Sequence, residues 1–117
     1  MLIYPPGKLY QRGEDRAQSN IEDSAAASVH ACNDIGYAAT ILISKGYKVF
    51  LKDYQTECAS FEDIKKDVES FLPDLILIST TNATIGYDLN FVNRIMSFYS
   101  AVFVLKGAIF LTLIYPC

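Results

Sequence analysis

Phe71-Leu72-Pro73-Asp74-Leu75-Ile76-Leu77-Ile78-Ser79-Thr80-Thr81 is the stretch whose reading decides the fold. Leu75 to Ser79 is an aliphatic run bounded by a proline and by hydroxyl residues, which predicts a strand buried on both faces, as in a parallel sheet. Pro73 closes the helix that precedes it. That helix opens at Ser60-Phe61-Glu62-Asp63, which resembles a capping box, and sets Phe61, Ile64, Val68 and Phe71 inward against Glu62, Lys65, Lys66 and Glu69 outward. Further upstream, Tyr47 to Leu51 reads as a second buried strand. Before it, Asp34 to Lys45 carries Ile35, Ala38, Ala39, Leu42 and Ile43 at helical spacing and stops at Gly46, a glycine cap. Leu2 to Tyr4 reads as the first strand. Downstream, Asp88 to Tyr99 sets Leu89, Val92, Ile95, Met96 and Tyr99 along one face of a third helix, and Ala101 to Leu105 reads as another strand. The β-α-β-α-β-α-β alternation implies parallel strands with right-handed crossovers. The expected fold is an α/β, Rossmann-like (flavodoxin-like) three-layer sandwich with a parallel sheet of four to five strands, Ile109 to Tyr115 being the candidate fifth.

With 117 residues, the chain is sized for a single α/β domain over 1–117 with one core. Its ten Lys and Arg are spread along the sequence and its net charge is −3, so the basic footprint of a nucleic-acid binder is missing. Cys32, Cys58 and Cys117 are an odd set with long gaps, which gives neither a disulfide framework nor a paired C-x-x-C metal knuckle and suits a reducing cytoplasm. The start, Met1-Leu2-Ile3-Tyr4-Pro5-Pro6, has no basic n-region or long apolar h-region. The greasiest stretch, Ala101 to Tyr115, is interrupted by Lys106 and Gly107 and falls short of the roughly 18 uninterrupted apolar residues of a membrane span. Residues 7–32, with Gln11, Arg12, Gly13, Glu14, Asp15 and Arg16, read as a long polar loop or a poorly ordered insert. From Leu75 to Cys117 only Asp88, Arg94 and Lys106 are charged, so apolar surface is expected there, covered by a missing part of a larger protein or by self-association through residues 75–117.

In an open parallel sheet, ligands sit beyond the carboxyl ends of the strands. Pro5-Pro6-Gly7, Ser79-Thr80-Thr81-Asn82 and Lys106-Gly107-Ala108 occupy that edge. The hydroxyls of Ser79, Thr80 and Thr81 either donate to a polar ligand or cap the next helix; Gly107 either admits a flat ligand or turns the chain. No G-x-G-x-x-G or G-x-x-x-x-G-K-[ST] string occurs, which argues against dinucleotide and P-loop sites. The only histidine, His30, has Cys32 and Asp34 close by, which allows a metal or Cys-His role and hence a small hydrolase or transferase; a solvated loop residue is the plainer reading. A receiver domain would carry an acidic pair after the first strand and an aspartate after the third, where Pro5-Pro6 and Ser79-Thr80 stand instead.

Asp34-Ile35-Gly36-Tyr37-Ala38-Ala39 through Lys45-Gly46-Tyr47-Lys48-Val49, followed by Phe71 to Thr81, Thr84-Ile85-Gly86 and Val102-Phe103-Val104-Leu105-Lys106-Gly107-Ala108, resembles the N-terminal cobalamin-binding domain of radical SAM enzymes. The likeness covers most of the chain outside residues 7–32, on soft motifs: aliphatic strands with small residues at their ends. It implies a lobe that packs on the face of a corrinoid, with a radical SAM barrel on the other side. By position, Pro5, Pro6, Ser79, Thr80, Thr81, Lys106 and Gly107 would line the corrin. The D-x-H-x-x-G string of classical cobalamin domains is absent, so the resemblance gives His30 no axial role. The C-x-x-x-C-x-x-C iron–sulfur motif is absent too, so the iron–sulfur cluster and S-adenosylmethionine would belong to a separate C-terminal domain, and this chain would be a non-catalytic piece of the enzyme. Ala108 and Ile109 replace a second glycine and a histidine often found in the family after the fourth strand. The alternative is a degenerate α/β protein-interaction domain without cofactor.

Overall fold

The computed structural model describes residues 1–6, 33–81 and 84–107. In chain order the elements are β1 (Leu2–Tyr4), α1 (Asn33–Ser44), β2 (Leu51–Asp53), α2 (Phe61–Phe71), β3 (Leu75–Ser79), α3 (Ile85–Met96) and β4 (Val102–Lys106). The four strands form one all-parallel sheet in the order β2-β1-β3-β4. Parallel strands require crossovers, and the helices supply them on both faces. Met1, Ile3, Ile76 and Ile78 face α2 and α3 and pack with Ile64, Val68, Phe91, Val92 and Ile95. On the opposite face Leu2 packs with Ile35 and Ala39 of α1, and Leu77 lies against them. The split follows from the alternation of side chains along a strand. This is the α/β three-layer sandwich expected from the alternation; Ile109 to Tyr115, the polar loop 7–32, His30, Cys32 and Cys117 lie outside the described residues.

Local chemistry sets the helix ends. Ser60 accepts from the Asp63 amide while the Asp63 carboxylate accepts from the Ser60 amide, which completes the capping box. Leu72 takes the left-handed conformation and its N–H donates to the Val68 carbonyl, so Pro73 follows a helix that has already ended. Gly46, at φ +84°, ends α1 with its amide on the Ile43 carbonyl.

Two expectations need correction. The second strand is Leu51–Asp53, not Tyr47 to Leu51. Its register is Leu2↔Leu51, Ile3↔Lys52 and Tyr4↔Asp53. As an edge strand it carries polar residues at no cost, because Lys52 lies at the rim, where its ammonium meets Asp67 at 3.0 Å and Glu57 at 3.5 Å. The inner face of α3 is also rotated from the one expected. Asp88, Phe91, Val92 and Ile95 are buried, whereas Leu89 and Met96 are 46% and 60% exposed. The helix starts at Ile85 and ends at Met96, three residues ahead of the expected span at each end. The rotation brings Asp88 inside, where the Thr80 and Thr84 hydroxyls supply the hydrogen bonds its carboxylate needs.

No described helix is long and apolar enough to cross a membrane.

Candidate functional site

The sheet order reverses direction between β1 and β3, and this switch point is where open α/β sheets leave a crevice at the carboxyl edge. Residues from β1, α1, β3 and β4 meet there on one carboxylate. The Tyr4 hydroxyl donates to Asp34 Oδ1 at 2.7 Å, the Ser79 hydroxyl to Asp34 Oδ2 at 2.8 Å, and the Lys106 ammonium to the same oxygen at 3.1 Å. Asp34 stands in the first turn of α1, where the helix dipole favours a negative charge. Burial by itself would raise its carboxyl, but the hydrogen bonds from Tyr4, Ser79, Lys106 and the Ile35 backbone outweigh that and hold it below the usual aspartate range.

The sign of the pH effect follows. A carboxyl that titrates lower in the folded chain than in the unfolded one stabilises the fold above the ordinary aspartate pKa, about 3.9, and that contribution is lost as pH falls through the folded value. The expected result is that Asp34→Asn unfolds more easily than the parent at pH 7, by about 1–2 kcal/mol on the scale of a partly exposed charged hydrogen bond. The gap closes progressively as the pH is lowered from about 5. Urea melts of both proteins across that range check it; a gap that stays constant with pH would remove the carboxylate from the explanation.

A second carboxylate lies behind β3. The Thr80 and Thr84 hydroxyls both donate to Asp88 Oδ2, and the Thr81 amide and hydroxyl reach the Thr84 hydroxyl at 3.1 and 3.0 Å. Burial pushes the Asp88 carboxyl up, and the hydrogen bonds from Thr80 and Thr84 oppose it without cancelling it. The end of β3 is therefore tied to the start of α3 by the side-chain hydroxyls of Thr80, Thr81 and Thr84.

The sequence-derived candidates fall together along this edge. Ser79 and Lys106 are register partners, the Thr80 amide donates to the Lys106 carbonyl at 2.8 Å, and Pro5 is buried at the end of β1 with the half-buried Pro6 beyond it. Each of the three hydroxyls has an internal partner: Ser79 has Asp34, Thr80 has Asp88 and Thr81 has Thr84. Gly107 is explained by the chain itself, since a Cβ there would run into the Thr80 carbonyl oxygen and stand 3.1 Å from Thr80 Cγ2. Comparison with protein-family models, with curated proteins and with solved structures returned no match.

Tyr4, Thr84 and the organising role of Asp34 were not found from the sequence. An aspartate in a first helical turn reads as dipole complementarity, and nothing local announces that its partners lie at 4, 79 and 106. Asp88 did leave a signal, standing three and seven residues before the apolar Phe91 and Ile95 on the same helical stripe. Chemically, the edge exposes the Lys106–Asp34 ion pair beside the half-buried Pro6 and Thr81, while Pro5, Ser79 and Thr80 are buried. Among the described residues no group of His, Cys, Asp and Glu is arranged to hold a metal ion.

Proposed function

We propose that the chain is a cobalamin-binding module of a radical SAM enzyme, holding the corrinoid on its carboxyl edge for methyl transfer or related radical chemistry carried out in another domain. The observation that supports the reading is the alignment of three strand ends at the switch point. Tyr4-Pro5, Ser79-Thr80-Thr81 and Lys106-Gly107 lie side by side, with Ser79 and Thr80 committed inward and the half-exposed Lys106 paired with Asp34. Such an edge suits a flat, weakly charged macrocycle. It suits a phosphate poorly, because the start of α1, where an anion would be favoured, already carries the Asp34 carboxylate. Pro5, Pro6, Ser79, Thr80, Thr81, Lys106 and Gly107 would hold the corrin face. The cofactor, when bound, supplies the carbon–cobalt bond that such enzymes use. The chain's own contribution is to orient that face and to keep Lys106 neutralised by Asp34.

Titration of the full chain with hydroxocobalamin and methylcobalamin, followed by visible absorption, tests this. Saturable binding with a base-off spectrum is expected. Thr81→Phe should weaken it at least about tenfold, ~1.4 kcal/mol. It also removes the hydroxyl contact with Thr84, worth about 1 kcal/mol of stability, so Thr81→Val, which loses the same hydroxyl without the bulk, is the control that should keep the binding. No saturable change at high micromolar cofactor would overturn the reading.

One observation favours the second reading, a protein-interaction domain. α1 is apolar nearly all round, and its Tyr37, Ile41 and Ile43 are exposed, as in a helix that belongs under a further layer. A partner protein or a second copy of the chain would supply that layer.

A further inference from the structure

Among the described residues, β4 is a sheet edge with none of the usual protection. Natural edge strands are kept short, charged, bulged or interrupted by proline. β2, at the other edge, obeys that rule with three residues that include Lys52 and Asp53. β4 is Val-Phe-Val-Leu-Lys, charged only at its last position, and no described strand lies beyond it.

Its hydrogen-bond phase can be read directly. The Val102 amide donates to the Asp74 carbonyl at 2.9 Å and the Lys106 carbonyl accepts from the Thr80 amide at 2.8 Å. Val102, Val104 and Lys106 therefore spend their backbone groups on β3, and the N–H and C=O groups of Phe103 and Leu105 point outward. The side chains sort the other way. Phe103 and Leu105 pack against the α2/α3 core, whereas Val102 and Val104 lie on the α1 face, 61% and 37% exposed, beside a 41% exposed Leu75.

We infer that the β4 edge is an interface for a second copy of this chain, paired antiparallel about a two-fold axis through Val104. A two-fold axis perpendicular to the sheet turns β4 onto its mate and keeps each face on its own side. The register that centres Val104 on the axis sets Phe103 opposite Leu105 of the other copy, and these are the residues whose amides and carbonyls point outward. Each pair exchanges both hydrogen bonds. The same register sets Val104 against Val104 and Val102 against the aliphatic stem of Lys106, so no like charges are opposed. The two Lys106 ammonium groups lie about 13 Å apart along the strands, at ~3.3 Å per residue, beyond the ~8–10 Å over which exposed charges act in physiological salt; each is also paired with its own Asp34. A strand of another sequence would meet the edge without this self-matching. The interface does not depend on corrinoid binding.

Sedimentation equilibrium of the full chain should give twice its 13.0 kDa mass. Val104→Lys places like charges on the axis and should raise the dissociation constant at least tenfold, with far-UV circular dichroism reporting whether the fold is kept. A register-specific measurement stands beside it. In a background of Cys32→Ser, Cys58→Ser and Cys117→Ser, Val104→Cys should form a covalent dimer on mild oxidation, because non-hydrogen-bonded antiparallel partners stand about 4.5 Å apart at Cα. Val102→Cys, more exposed but opposite Lys106, should not. A monomer at all concentrations, an open series of larger species, or cross-linking at 102 rather than 104 would each overturn the proposal.

Discussion

Gly107→Ala should lower the unfolding free energy by about 1–3 kcal/mol, the range for forcing extra volume into a packed site. The added Cβ would run into the Thr80 carbonyl oxygen, with Thr80 C and Cγ2 both at 3.1 Å, so the obstacle is backbone that has no rotamer by which to retreat. Relief requires the ends of β3 and β4 to part, which breaks the bond from the Thr80 amide to the Lys106 carbonyl. A urea melt with an unchanged slope and a lower midpoint is the expected record. An unaltered midpoint would mean that the strand ends give way freely. Bulky substitutions at Gly107 consequently report on folding before they report on any ligand, and for this reason Thr81 is the better position from which to test the carboxyl edge.

Ile78→Ala should cost about 2–5 kcal/mol, the range for truncating a large aliphatic side chain in a core. Ile78 is fully buried in β3, between the sheet and the α2/α3 layer. Small domains have only about 5–15 kcal/mol of stability in total, so the variant should sit near the edge of folding at room temperature. Met96→Ala supplies the contrast, since that side chain is 60% exposed at the end of α3 and its truncation should change the stability by less than about 0.5 kcal/mol. Thermal melts of the two variants at the same protein concentration would show the difference. Equal losses would mean that Met96 is covered in solution.

The layered α/β fold was legible because its central strands and its middle helix obey local rules. Leu75–Ser79 is aliphatic and flanked by Pro73; Ser60 and Asp63 cap a helix whose Ile64 and Val68 are fully buried. Legibility failed where burial and polarity part company. Lys52 and Asp53 lie in a strand because an edge strand has a rim for them. Asp88 lies inside because Thr80 and Thr84 supply the hydrogen bonds that a carboxylate needs there. The carboxyl edge was placed correctly along the chain, since Pro5, Ser79 and Lys106 do stand at strand ends, but its internal wiring through Asp34 joins residues far apart in sequence. Periodicity carries no information about such contacts.

The position of β1 has a kinetic consequence. β1 lies inside the sheet, yet its register partners are Leu51 on one side and Leu77 on the other. Every contact it makes in the sheet closes a long loop, whereas β3 and β4 are joined through α3 alone. Loop closure must be completed before distant pairings are rewarded, so the β3-α3-β4 unit can assemble early while β1 inserts late, between a strand pair already made and a lone β2. Until that insertion occurs the inner edge of β3 is bare, and among the described strands the β3–β4 pair then carries an unpaired edge on each side.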